Sequence, residues 1–293
     1  MVETTNKASE AEAWIRDCIV RYAASEENNL YPGGVHEPAW GEPLVGFSRG
    51  DDLLYQGFKD DIGPFHLTPH EIFGATFPDV KAAPGELTVI SWILPQTERT
   101  RRDNGREKAL PAERWARSRN WGEEFNMKLR DHVVGVLREA GCEAVAPMRS
   151  PLWRTEKSAS YGFASSWSER HAAYASGLGT FGLCDGLITP RGKAIRCGSV
   201  VARVAIPPTE RPYEDHHAYC LFYFNGSCGK CIKRCPADAI TREGHNKEKC
   251  FDYMHDVGIP SVQSRFGFEA NACGLCQTGV PCEAKIPVPG KNG

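Results

Sequence analysis

Along the first two thirds of the chain, apolar residues follow two patterns, one with a spacing of four and one nearly unbroken. Trp14, Ile15, Cys18, Ile19 and Tyr22 share one helical face, and Ser9 to Glu12 forms an S-x-x-E capping box ahead of them, so an amphipathic N-terminal helix is expected. Trp121, Phe125, Leu129, Val133 and Leu137 recur every four residues, which predicts a helix from Ala112 to Ala140 closed by Gly141. Leu87 to Leu94, stopped by Pro95, is almost wholly apolar and rich in strand formers, as a buried strand of a central sheet would be. Cys142 to Ala146 and Ser199 to Ile206, the latter halted by Pro207-Pro208, read as further strands, and a helix is expected around Ser168 to Ser176. Residues 30–85 depart from both patterns. They are rich in glycine, proline, aromatics and histidine, few regular elements are expected in them, and the aromatics argue against disorder. This reads as a segment packed over a site. His36, His66 and His70 either line that site or are ordinary loop and capping histidines, since no ligand spacing recurs.

The chain has 293 residues, 41% of them hydrophobic, enough for a conventional core and two domains. A formal net charge of -2 lacks the basic footprint of a nucleic-acid binder. Residues 1–29 contain no apolar stretch flanked by basic residues, and Arg101-Arg102 is internal, so a soluble, cytoplasmic protein with no membrane partner is expected.

Eight of the 12 cysteines change this picture: Cys220, Cys228, Cys231, Cys235, Cys250, Cys273, Cys276 and Cys282 lie in the last third. Cys228-Gly-Lys-Cys231-Ile-Lys-Arg-Cys235-Pro236 is a C-x2-C-x3-C-P string, the ending of ferredoxin-type ligation, in which the cysteine before proline binds the neighbouring cluster. The C-x2-C pairs Cys228/Cys231 and Cys273/Cys276 would also suit one tetrahedral zinc, which leaves four cysteines unused. Disulfides suit small secreted scaffolds and are not needed in a chain of this size. The radical-SAM spacing C-x3-C-x2-C runs the other way. Under the crossover rule Cys235 joins Cys250, Cys273 and Cys276, while Cys228, Cys231, Cys282 and Cys220 form the other set. Cys220 is the weakest member, because a regular motif places a ligand at Asn225, and Cys276-x5-Cys282 is longer than usual. Cys18, Cys142, Cys184 and Cys197 are read as buried apolar residues, with Cys184 and Cys197 close enough in sequence to the glycine run below to serve a cofactor.

Gly177 to Gly182 matches G-x-G-x-x-G, yet a helical stretch precedes it and no acidic residue stands near 20 positions on, so a dinucleotide fingerprint is rejected. The glycines serve either a close approach to a bulky ligand or a tight turn.

Glu169-Arg-His-Ala-Ala-Tyr-Ala-Ser-Gly-Leu-Gly-Thr-Phe-Gly182, Leu187-Ile-Thr-Pro190, Gly198, Val200, the C-G-K-C-I-K-R-C-P string, Glu248-Lys-Cys250 and Cys273-Gly-Leu-Cys276 together resemble the epoxyqueuosine reductase and reductive dehalogenase superfamily, over roughly residues 85–285. The resemblance implies an α+β chain: a nitroreductase-like, cobalamin-binding α/β domain at 85–210 and a ferredoxin-like domain with two 4Fe-4S clusters at 211–293, with 1–84 covering the site. It also implies a reductase that passes electrons from the clusters, fed by an external low-potential donor, to cobalamin for a reductive step on a small molecule. Gly177, Leu178, Gly179, Thr180, Phe181, Gly182, Leu187, Ile188, Thr189 and Pro190 would then lie against the corrin. Where epoxyqueuosine reductases carry their proton-donating aspartate this chain has Phe163, and Tyr161, two residues away, is the candidate acid or a packed aromatic. The missing aspartate weakens a tRNA substrate without excluding it. A ferredoxin-type electron carrier lacking cobalamin is the alternative, and a zinc-stabilised binding module a third reading.

Overall fold

The apolar run near residue 90 is a strand with both faces buried, and the fold is built around it. In the computed structural model, which describes residues 2–289, β2 (Thr88–Pro95) is buried along its whole length. Ile90, Trp92 and Leu94 face one apolar layer and Val89 and Ile93 the other, so side chains alternate across the sheet. In chain order the elements are α1 (Val2–Ala23), β1 (Leu44–Arg49), α2 (Leu53–Ile62), α3 (Pro69–Thr76), β2, α4 (Glu98–Arg106), α5 (Glu113–Glu139), β3 (Ala144–Val145), β4 (Thr155–Ser158), β5 (Gly162–Ser165) and α6 (Glu169–Ala175). They continue with β6 (Thr180–Phe181), β7 (Leu187–Ile188), β8 (Ile195–Ala202), α7 (Leu221–Asn225), α8 (Lys230–Arg234), α9 (Lys247–Tyr253) and α10 (Ile259–Phe266). The main sheet is antiparallel with strand order β1-β2-β8-β3. One face packs Ile15 and Ile19 of α1 and Phe125, Leu129, Val133 and Leu137 of α5. The other packs Tyr55 and Phe58 of α2, Ile72 and Phe73 of α3 and Ala172 to Ala175 of α6. The result is a mixed α and β layer structure.

Several expectations need correction. Residues 30–85 are irregular only in part, mainly at 30–43 and 77–83: β1 is an edge strand of the main sheet, α2 is capped by Asp52, and α3 opens with a capping box between Thr68 and Glu71 around Pro69. Because β1 pairs with β2 from Leu44↔Ile93 to Arg49↔Thr88, this segment belongs to the sheet layers. The capping box at Ser9 to Glu12 is not used, as α1 runs through it from Val2. β8 begins at Ile195 and ends at Ala202, four residues ahead of the expected strand at each end. The segment after it is irregular, with Ile206 still buried in the core. Trp121 lies outside the α5 core stripe and packs instead on Phe268, with ring centroids 4.8 Å apart. No helix among the described residues is long and apolar enough to cross a membrane.

Gly198 stands opposite Trp92 in the β2–β8 register, and a Cβ there would sit 2.4 Å from the Trp92 ring. The ring is pinned by Nε1 donating to Asn126 Oδ1 at 2.9 Å, so it has no room to yield. Gly198→Ala should therefore cost about 1–3 kcal/mol through overpacking. Urea unfolding reads this directly, and an unchanged midpoint would refute the packing argument.

Candidate metal centre

The cysteine-bearing tail is held in place by short helices and one arginine. Cys231 lies on the buried side of α8, which ends at Cys235 because Pro236 cannot continue it. Between them Arg234 donates from Nε to the carbonyls of Leu275 and Thr278 and from its terminal nitrogens to those of Glu107 and Asn104. One side chain thus joins the first cysteine string, the second C-x2-C pair and α4. The backbone N–H of Ala239 donates to Cys235 Sγ at 3.3 Å, and Asn246 caps α9, which carries Cys250.

The eight cysteines divide between two cavities. Cys220, Cys228, Cys231 and Cys282 line a small one, closed by Leu183, Ile188, Phe222 and Val280. Cys235, Cys250, Cys273 and Cys276 line a larger one of about 470 Å³ between the tail and the end of the sheet. Cys220 takes its place because α7 folds back after it, with Gly226 in the left-handed conformation at the C-cap. Among the described residues no three His, Cys, Asp or Glu side chains are gathered as for a single metal ion. Burial pushes the Cys273 thiol up to about 11 and raises Cys282. A hydrogen bond with Cys184, then burial, raises Cys276 and Cys231. A metal bound by these cysteines would have to displace such protons.

Cys184 and Lys193 lie between the two sets. The Lys193 Nζ donates to Cys184 Sγ at 3.1 Å, and Lys193 lines both cavities. Hydrogen bonds from Cys231 and Cys276, together with Lys193, hold the Cys184 thiol well below its ordinary range. Cys184 is therefore more than a packed apolar residue, whereas Cys197 is buried in the sheet layer and pushed up to about 12 by that burial.

Charged donors form the opposite wall of the larger cavity. Arg130, 1% exposed, pairs with Glu123 at 3.3 Å and Glu169 at 3.2 Å, and Arg196 also binds Glu123. Glu169 further accepts from Ser199 Oγ, itself bonded by Trp167 Nε1. Burial pushes both carboxyls up against the pull of Arg130. Arg119 and Arg170 point to the same cavity and donate to the carbonyls of Asn271 and Asp185. The indole N–H groups of Trp115 and Trp153, also in this wall, have no partner among the described residues. A wall so rich in donors suits a ligand rich in acceptors. His245 lines it too; burial opposes its protonation, but Asp185, 3.0 Å away, and Cys250 raise it to about 9.

The remaining predicted residues lie elsewhere. Gly177 to Gly182 and Leu187 to Pro190 are the arms of one hairpin, β6–β7, and of these residues only Leu187 lines the larger cavity. Gly177 (φ +77°) closes α6, with Leu178 N–H bonding Ala173 O as in a Schellman motif. A Cβ on Gly179 would lie 2.3 Å from Ile188 O, so this glycine admits the chain's own backbone. Tyr161, 41% exposed, is in the β4–β5 turn outside the cavity lining and donates to Asp61 Oδ2 at 2.5 Å. Burial and Asp61 push it up to about 12. Phe163 packs on Phe251, with centroids 5.5 Å apart. His66 is buried against Ser165 O, His70 bonds Ala82 O, His36 is exposed, and none lines the larger cavity. Sequence reasoning missed Arg119, Glu123, Arg130, Lys193, Arg196 and His245; of the wall's charged residues only Glu169 and Arg170 lay in a motif that had been singled out.

No family model matches the chain. An epoxyqueuosine reductase of Bacillus anthracis is 27% identical over 167 residues, 55% of this chain and 39% of that protein, so the match spans about two fifths of the curated relative. Among solved structures, epoxyqueuosine reductase from Bacillus subtilis aligns over 94% of this chain and 66% of its own at 17% identity, with a TM-score of 0.48. A catabolic reductive dehalogenase in complex with 3-bromo-4-hydroxybenzoic acid aligns over 84% of this chain and 30% of its own at 17% identity, with a TM-score of 0.49. In sequence the chain is similar to epoxyqueuosine reductase, as its motifs indicate.

Removing Arg130 would leave the largely buried Glu169 with no ion-pair partner among the described residues and Glu123 with Arg196 alone. Arg130→Met is expected to destabilise the protein by about 3–5 kcal/mol in denaturant unfolding. Adding Glu169→Gln should recover part of that loss, and a double variant no more stable than the single would show that the two side chains are not coupled.

Proposed function

We propose that the chain is an iron-sulfur reductase in which Cys220, Cys228, Cys231 and Cys282 hold one four-iron cluster and Cys235, Cys250, Cys273 and Cys276 hold a second. The observation that carries this reading is the four-and-four division of the cysteines between two adjacent cavities. Thiolates in sets of four are the donor set such clusters take, and the clusters supply one-electron transfer. The two cavities share Lys193 in their walls, so electrons from an external low-potential donor pass between neighbouring sets of cysteines. The larger cavity is where the reductive step takes place.

A corrinoid in that cavity is the first form of this proposal. The unpartnered indoles of Trp115 and Trp153, with Arg119 and Arg170, suit the amide carbonyls around a corrin, and bound cobalamin would supply a reducible, nucleophilic cobalt. The substrate is then a small molecule. Epoxyqueuosine, named by the curated relative, stands beside it as an alternative substrate, presented in tRNA. Tyr161 keeps its proton at neutral pH and serves as the acid only for a substrate that reaches the β4–β5 turn.

A second reading, an electron carrier without cobalamin, is favoured by two observations. The expected corrin-facing glycines abut the chain's own backbone, and about 470 Å³ lies in the lower half of the range for small-molecule sites while also having to admit a cluster.

Anaerobically purified protein is expected to be brown and to carry roughly eight iron and eight acid-labile sulfide per chain. Cys228→Ser and Cys273→Ser should each lose about half of that iron, from different clusters, and absence of iron from the wild type would sink the reading. Added cobalamin retained through desalting supports the corrinoid form. Iron-replete protein that retains none, yet reduces an acceptor, supports the carrier.

A further inference from the structure

We propose that the Lys193 side chain is an internal counter-cation shared by the two clusters, which raises the reduction potential of both. The inference rests on the cluster reading above and concerns what this chain adds to it. Lys193 is 2% exposed, and among the described residues no carboxylate pairs with it; its ammonium donates to Cys184 Sγ at 3.1 Å. A buried ammonium is costly unless negative charge compensates it. Among the described residues the groups around it that can carry negative charge are sulfurs: Cys184, which the ammonium contacts, then Cys282 and Cys231 from one cavity and Cys276 from the other.

The backbone holds the side chain in this position. Lys193 N–H donates to Cys282 O at 2.8 Å, which fixes the residue against the tail. Its aliphatic stem crosses the hairpin turn at Gly186, where a Cβ would stand 2.8 Å from Lys193 Cδ. Any side chain at 186 would push the ammonium off its line. Cys184, a ninth cysteine where two clusters need eight, acts as the hydrogen-bond acceptor that orients it.

A four-iron cluster with four thiolates carries net negative charge, which grows when it accepts an electron. A fixed cation in a low-dielectric wall between two clusters favours the reduced form of each, since net charge and hydrogen bonds to sulfur set these potentials. Lys193 thus makes both clusters easier for the external donor to reduce.

The test is an anaerobic redox titration followed by EPR, on wild type, Lys193→Met and Lys193→Arg, with iron counted in each. The equilibrium constant for one-electron reduction of both clusters should fall at least tenfold in K193M, a drop of 59 mV, at unchanged iron content, and K193R should restore it. Unchanged potentials in iron-replete K193M overturn the proposal, as does a shift confined to one cluster. Should K193M lose iron, Lys193→Gln, which keeps a donor for Cys184, carries the same expectation. Iron loss in both variants also overturns it, in favour of a role in cluster assembly. Wild type without iron would remove the cluster reading itself, whereas two clusters with unmoved potentials would remove only the role of Lys193.

Discussion

Three backbone hydrogen bonds join the tail to the strand that crosses the middle of the sheet. Lys193 N–H donates to the carbonyls of Cys282 and Glu283, and Ala194 N–H to that of Glu283, immediately before β8 begins. Through them the last of the eight cysteines is registered against the central strand. The Arg234 clasp registers the first string against the second, and against α4. Cysteines far apart in sequence therefore gather at one end of the sheet. Both cavities follow from this seating, since the β6–β7 hairpin and Lys193 line both and the start of β8 lines the larger.

The electrostatics around the larger cavity are of two kinds. Glu123, Glu169, Arg130 and Arg196 compensate one another, and a buried network of this type contributes a defined arrangement more than net stability. Arg119, Arg170 and Lys193 make no ion pair among the described residues, so the cavity as a whole is short of negative charge. A negatively charged or acceptor-rich ligand is the complement of such a wall. Tyr161, tied to Asp61 on an exposed turn, contributes nothing to that balance.

Much of the fold could be read from the residues because its signals are local. The four-residue repeat of Phe125 to Leu137 and the doubly buried run of β2 each report one element facing its own layers. Residues 30–85 were misread although signals were present: Thr68-Pro69-His70-Glu71 is a helix start, and Asp52 caps α2. Dense glycine and aromatics hid them, and the six-residue β1 shows no clean alternation because most of its side chains are buried. Conversely, the Ser9 box was a sound local signal that a longer helix overrode.

The chain alone determined what its last third offers: cysteines in ligand-like spacings, a proline that ends α8 and a family-like order of motifs, all set by covalent spacing and local conformation. Only tertiary packing decided that Cys184 and Lys193 stand between the cysteine sets, that the glycines of the β6–β7 hairpin face the chain's own backbone, and that Tyr161 lies outside the cavity. Those outcomes depend on contacts between residues distant in sequence, such as Lys193 with Cys282. No local pattern encodes them, because they exist only once the sheet, the hairpin and the tail have closed on one another.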